Sequence, residues 1–504
     1  LIARLGEQNP PVLEIEPLDP VIIDGRHLRR PDVVTVARGR PPVHLDAAGR
    51  ARAHAATELA NRVGTTRSVY GRSTGVGANR VEVVTDDAAG HGLRLLRSHA
   101  SGAGELEPPE RARAMMVVRL NQLAAGGSGV DPQLMDALVA ALDSGAIPVV
   151  HQVGAIGTGD LCALADLALA LCGDRAWQTG SAPSVNLSSS DALAMISSNA
   201  ATIGEAVLAQ ADLEALLRAS EVVAAFSFVA LGGAAEAYGS PVQNARPHPG
   251  QLVVATRMRR LLGLGPMSRA GRRLQDPFSL RAVPQVHGTA VDAVERLGTV
   301  LDVEINARAE NPLVDVATSD AWHNANFHTG YLAHALDSAR AAVYPVAELS
   351  AARLGDLVDP DFTGLAAFLS EGPPGSSGVM ALEYVAQDGV ASLRHTTLPA
   401  TLGSAVISRG LEDHASYSTH GARLATVCVS ALRTVLATEL VAAVRAIEMG
   451  AAMPDGLPLS NSLRSAYAQA TEVLDERRED RSLSADLAAA EALLPRLGHT
   501  HASR

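Results

Sequence analysis

Lysine is absent from the 504 residues; all 42 basic side chains are arginine. An aldimine to pyridoxal phosphate, or any other Schiff-base lysine, is therefore excluded. A Walker A phosphate loop is excluded too, since it needs its lysine. Cysteine is scarce: Cys162, Cys172 and Cys428 make no disulfide framework. Cys162 and Cys172 fall in one apolar helical pattern and are expected in the core, and no Cys/His spacing suits a metal. This cysteine usage predicts a cytoplasmic protein. The formal net charge of -12 denies the basic surface that non-specific nucleic-acid binding requires. Long uncharged runs are missing as well. Val222 to Ala235 is too short to span a bilayer and reads as a buried helix, so no membrane is expected as a partner. Leu1 to Leu18 lacks a basic segment followed by an apolar run, which predicts no signal peptide.

What the chain does have is apolar content, 47% of 504 residues, enough for a large core. Helical periodicity covers 46–61, 110–124, 132–142 and, nearly unbroken, 188–237. It returns over 287–308, 329–354, 378–394 and 416–449. Long helices joined by polar turns predict an all-α bundle. The first forty residues, with β-branched runs such as Val33 to Val36, predict a small strand-bearing cap. Three parts are expected: 1–200, holding two glycine loops; 201–450, the long-helix bundle; and 451–504, a helical tail in which the charged stretch Glu476 to Arg481 is a solvated helix end.

The first glycine loop, Tyr70-Gly71-Arg72-Ser73-Thr74-Gly75-Val76-Gly77, sets a phenol beside flexible backbone, as a lid carrying a general acid or base requires. The second, Gly154-Ala155-Ile156-Gly157-Thr158-Gly159-Asp160, runs straight into an apolar helix with Asp160 as the expected N-cap. Such a turn lets a ligand approach the backbone closely and points unpaired N–H groups at it.

In order along the chain, Tyr70-Gly71 with Thr74-Gly75 and Gly77, Ser98-His99-Ala100, and the glycines before Gly159-Asp160-Leu161 resemble the aromatic amino acid ammonia-lyases, histidine ammonia-lyase above all. The likeness continues through Gln275-Asp276-Pro277-Phe278-Ser279-Leu280-Arg281, Glu310-Asn311-Pro312-Leu313, Asn326-Phe327-His328 and Glu412-Asp413-His414. Each piece is weak alone; the ordered series is specific. The resemblance implies an all-α bundle of the fumarase, aspartase and histidine ammonia-lyase type. It also implies a homotetramer with active sites shared between subunits, and a methylidene-imidazolone (MIO) ring made by the chain from an Ala-Ser-Gly triad. By the same resemblance Tyr70 is the catalytic tyrosine and Arg281 the carboxylate anchor. Gln275, Asn326 and Phe327 line the site, and His99 and Glu412 read a polar head group.

The chain departs from this family where the ring should be. Gly157-Thr158-Gly159 replaces Ala-Ser-Gly, Ser197 stands where the family has Asn, Phe278 where it has Tyr, and Leu411 where it has Gln. Loss of water from Thr158 would give an ethylidene, a bulkier and poorer acceptor. These departures favour a ring-free lyase acting on the α,β bond of a histidine-like or other polar-headed amino acid, by elimination or by reverse or cyclising addition. An ordinary histidine ammonia-lyase with a Thr-derived ring, and a non-catalytic ligand-binding relative, are the competing readings.

Overall fold

The computed structural model describes residues 18–84, 88–187, 191–269, 271–450 and 460–502. The reading of the first seventeen residues as free of a signal peptide lies outside them. The described chain is mainly helical, with short strands in four separate two-stranded pairs. Seven helices position the site: α1 Pro109–Ala124, α2 Leu161–Leu171, α3 Ala200–Leu231, α4 Val283–Glu304, α5 Gly330–Val358, α6 Ala381–Thr396 and α7 Ser418–Glu448. The helix α3 packs along α7 and α1, α5 lies against α4 and α7, and α6 covers another side of α7. One buried apolar cluster runs from Val21 to Leu497.

The centre of the bundle follows from composition. Ala, Leu and Val surround α3 on every side, and nearly the whole helix is buried, as a helix without a polar face must be. By length and composition α7 could cross a membrane, but 78% of its most apolar stretch is buried inside the protein. Among the ion pairs of the described interior, Arg353 of α5 with Glu439 of α7 has both side chains completely buried. The Glu439 carboxylate accepts from Arg353 Nε (2.6 Å) and Nη2 (2.9 Å), from Ser227 of α3 (2.6 Å) and from Ser350 (2.6 Å). Three helices are thereby tied at one point.

Four expectations change. Val33 to Val36 is not a strand but part of the helix Arg30–Gly39. Asp32 accepts the Arg29 backbone N–H at 3.0 Å, and Val33, Val36 and Ala37 are buried together, so local capping and packing override β-branched propensity. The strands lie on either side, Val21–Ile23 pairing in parallel with Val43–Leu45. The pattern over 188–237 is broken at Ser197-Ser198-Asn199, whose polar groups are drawn into the site. The stretch Glu476 to Arg481 is a loop between the helices Asn461–Val473 and Ser484–Ala502. There Arg477 pairs with Asp475, and Arg481 with Asp486 at 2.6 Å. Cys162 and Cys172 are only half-buried because they sit at the two ends of α2; Cys428 alone is fully buried.

Candidate active site

Gly157-Thr158-Gly159 lies where the N-termini of α2, α3, α5 and α7 converge. The Gly157 carbonyl accepts from Ser416 Oγ (2.8 Å), just ahead of α7, and from Thr329 Oγ1 (3.3 Å), just ahead of α5. The Gly159 N–H donates to Asn199 Oδ1 (3.0 Å), the residue that opens α3. Leading N–H groups of helices carry partial positive charge, so four such ends favour negative charge near Thr158. Position 157 must be glycine: its φ is +85°, and a Cβ there would strike Ser416 and Ser418.

Asp160 does not cap α2; its side chain makes no bond to that helix. Its carboxylate instead accepts the Thr202 N–H (2.7 Å) and hydroxyl (2.8 Å) in the first turn of α3. The spacing before an apolar run marked the right residue type and the wrong helix, because the chain turns back on itself at Asp160. Complete burial pushes the Asp160 carboxyl up to about 6, outweighing those hydrogen bonds.

Glu205 lies further along α3. It accepts from Thr426 Oγ1 at 3.1 Å and pairs with Arg111 at 3.1 Å. Burial outweighs the attraction of Arg111 and pushes Glu205 up to about 7. A raised carboxyl means that the native state holds a proton the unfolded chain has lost. Stability therefore falls as pH rises from the unfolded value through about 7. With Glu205→Gln that part of the pH dependence should vanish. Between pH 5 and 8 the wild type should lose about 2–3 kcal/mol more than the variant, read from urea unfolding at a series of pH values.

A cavity of about 850 Å³ opens beside the turn, lined by Tyr70, His99, Thr158, Gly159, Ser197, Phe327 and Glu412 among others. These arrive from well-separated segments of the chain. Tyr70 is held by its own loop: its phenol oxygen accepts the Gly77 N–H at 2.6 Å. Burial raises the phenol above its ordinary value, the nearby Glu412 charge adds to this, and the Gly77 N–H and Arg80 oppose it. The neutral phenol thus keeps its own hydrogen for the cavity. His99 ends the helix Ala88–His99. Its Nδ1 lies 2.8 Å from the Leu95 carbonyl, which can only accept, so Nδ1 carries a hydrogen, and in the uncharged tautomer this leaves Nε2 as the acceptor. Ser197 Oγ accepts the Asn311 N–H at 3.0 Å. Asn199 Nδ2 donates to the Phe327 carbonyl at 2.6 Å, fixing that loop against the turn.

Four expected site residues lie elsewhere in the chain. Gln275 is exposed, Phe278 is 68% exposed, and the Arg281 guanidinium stacks on the Phe278 ring at 4.4 Å. Arg281 Nε is buried with no hydrogen-bond partner among the described residues. Asn326 is also exposed, its N–H bound to Asn324 Oδ1 at 2.8 Å. Conversely, His323, Arg80 and Arg409 line the cavity without any signal in the sequence. His323 accepts the Tyr70 N–H at 3.3 Å, a partnership between residues far apart in sequence that no local pattern encodes.

The family model described as aromatic amino acid lyase matches residues 28–472. The histidine ammonia-lyase of Geobacillus thermodenitrificans is 35% identical over 498 residues, covering 94% of this chain and 97% of that one. Among solved structures, histidine ammonia-lyase from Trypanosoma cruzi has a TM-score of 0.87 at 27% identity, covering 96% of this chain and 94% of that one. Tyrosine aminomutase from Streptomyces globisporus has a TM-score of 0.88 at 27% identity, covering 96% and 98%. With its helical bundle, its ordered motifs and a match running through nearly its whole length, the chain belongs to the aromatic amino acid lyase family and is a carbon–nitrogen lyase of the histidine ammonia-lyase type.

Proposed function

We propose that this cavity acts on the α,β bond of an amino acid with a histidine-like or other polar head group, by elimination or by the reverse or cyclising addition. The observation that carries this reading is the convergence of Tyr70, Thr158, His99 and Glu412 on one cavity. Tyr70 moves the proton at the β-carbon. As a phenol it delivers one in the addition direction; as a phenolate, steadied by the Gly77 N–H, it removes one in elimination. His99 Nε2 and the Glu412 carboxylate are both acceptors, and so select a head group that carries N–H donors. The Thr158 hydroxyl, at the positive helix ends, binds the oxygen on which negative charge builds up.

The family normally depends on the MIO ring. The backbone around the turn suits such a ring: the Gly157 carbonyl is polarised by two hydroxyls, and the Gly159 nitrogen is held by Asn199. The side chain does not suit the standard ring, because Thr158 would leave a methyl on the electrophilic carbon. Thr158 therefore stays a hydroxyl, and the substrate supplies its own activation through an acidic β-proton or a good leaving group. Intact mass decides: an unmodified chain supports the open turn, and loss of two waters per chain, with a new ultraviolet band, supports a Thr-derived ring. Turnover screened against histidine, urocanate and related enoates tests the activity itself. No turnover and no binding with any of them would favour a non-catalytic relative.

A homotetramer belongs to the same proposal. The exposed Phe278 with Arg281 stacked on it is a patch that calls for cover. In an assembly with shared sites, Gln275, Phe278 and Arg281 of one subunit would meet the cavity of another, Arg281 holding the substrate carboxylate bidentately. Light scattering on the purified protein measures the mass; a monomer would end this part of the reading.

A further inference from the structure

The cavity rim carries two arginines that the proposed chemistry does not use. Arg80 follows the short helix Gly77–Asn79, and Arg409 sits inside the turn Ser408–Gly410. The two turns touch: the Ala78 N–H donates to Ser408 Oγ at 3.0 Å. Both arginines line the cavity that holds Tyr70 and Thr158. Among the described residues neither guanidinium has a hydrogen bond or an ion pair. Glu412 is the one acid among the described lining residues, so two guanidiniums face a single carboxylate and the rim stays positive even with Glu412 ionised.

An arginine on a surface loop is ordinarily just solvated. Two features set this pair apart. Ser408 and Arg409 hold left-handed backbone, φ +53° and +54°, a conformation unfavourable for a non-glycine residue that persists where the surroundings impose it. The bond from Ala78 is one such constraint, and it keeps the Arg409 turn beside the Arg80 turn. The Arg80 charge also reaches the reacting centre, since it helps to offset the upward shift of the Tyr70 phenol. An imidazole-like head, whose N–H the His99 and Glu412 acceptors already meet, has no use for two guanidiniums. A planar acid does, because the guanidinium fork matches a carboxylate with two parallel N–H bonds.

We propose that the substrate carries a second acidic group, distal to the reacting α,β bond, and that Arg80 and Arg409 clamp it. This rests on reading the cavity as the active site. In the proposed assembly the α-carboxylate is left to the partner subunit's Arg281, so the substrate class is an amino acid, or its enoate, with an acid on its head group.

The probes are urocanate and its two C-carboxymethyl derivatives, one on each free ring carbon so that the ring N–H is kept, titrated calorimetrically into the whole protein at 0.15 M salt. Wild type should bind at least one carboxymethyl derivative ten or more times tighter than urocanate. Arg80→Gln and Arg409→Gln should each reduce that preference, and the double variant should abolish it while leaving urocanate binding within about twofold. Raising the salt should weaken the derivative more than urocanate, as exposed charge pairs are screened. Equal binding of urocanate and both derivatives by wild type overturns the acid clamp and leaves the active-site reading standing. So does a preference that survives the double variant. Binding of none of the three overturns both.

Discussion

Tyr70→Phe should lower kcat/KM by about 10²- to 10⁴-fold, the usual contribution of a positioned general acid or base. The same change should cost only about 1 kcal/mol of stability, because the fold loses one acceptor for the Gly77 N–H. That split between activity and stability separates a catalytic phenol from a merely structural one. The pH profile gives a second readout. Burial and Glu412 hold the phenol above its ordinary value, so in the elimination direction, which needs phenolate, kcat/KM should climb into the alkaline range. That limb should disappear in the variant. In the addition direction the phenol is the working form and the rate should hold across neutral pH. A variant that keeps wild-type kcat/KM would remove Tyr70 from the mechanism; one that loses several kcal/mol of stability would make it structural.

Arg353→Met should destabilise the protein by about 3–5 kcal/mol, the range for breaking one half of a buried ion pair. The cost comes from what is left behind. Glu439 would keep two serine donors but lose both guanidinium bonds in a site fully shielded from water. The Arg353→Met/Glu439→Leu double variant should recover a good part of the loss, since an apolar pair of similar volume often stabilises as well as the ions it replaces. Arg353 Nη1 also donates to the Ser279 carbonyl at 2.9 Å, within the segment that bears Phe278 and Arg281. Both variants should therefore loosen that segment, and if the proposed assembly is right they should weaken it as well. Urea unfolding measures the first effect and light scattering the second. A single variant within about 1 kcal/mol of wild type would show that the ionic node adds little to the bundle.

Much of the fold was legible in residue order. Long stretches rich in Ala and Leu without turn residues can only pack as helices, and the expected spans differ from the observed helices mainly at their ends. Where local pattern failed, tertiary contacts had decided. Val33 to Val36 is helical because its apolar face is buried and its first turn is capped. Asp160 caps α3 rather than α2 because the chain doubles back. Glu476 to Arg481 leaves helix because its arginines find nearby carboxylates.

For the site, sequence alone determined which residue types stand in which order: a phenol in a glycine loop, a hydroxyl between two glycines, and His99 and Glu412 far along the chain. It also excluded lysine chemistry outright. Only the tertiary structure decided which of them meet. Helix N-termini contributed from distant parts of the chain gather around Thr158, and no window of sequence contains that convergence. The same packing brings Arg80 and Arg409 to the cavity and keeps Arg281 away from it, because proximity across a bundle is set by how helices cross and not by spacing along the chain.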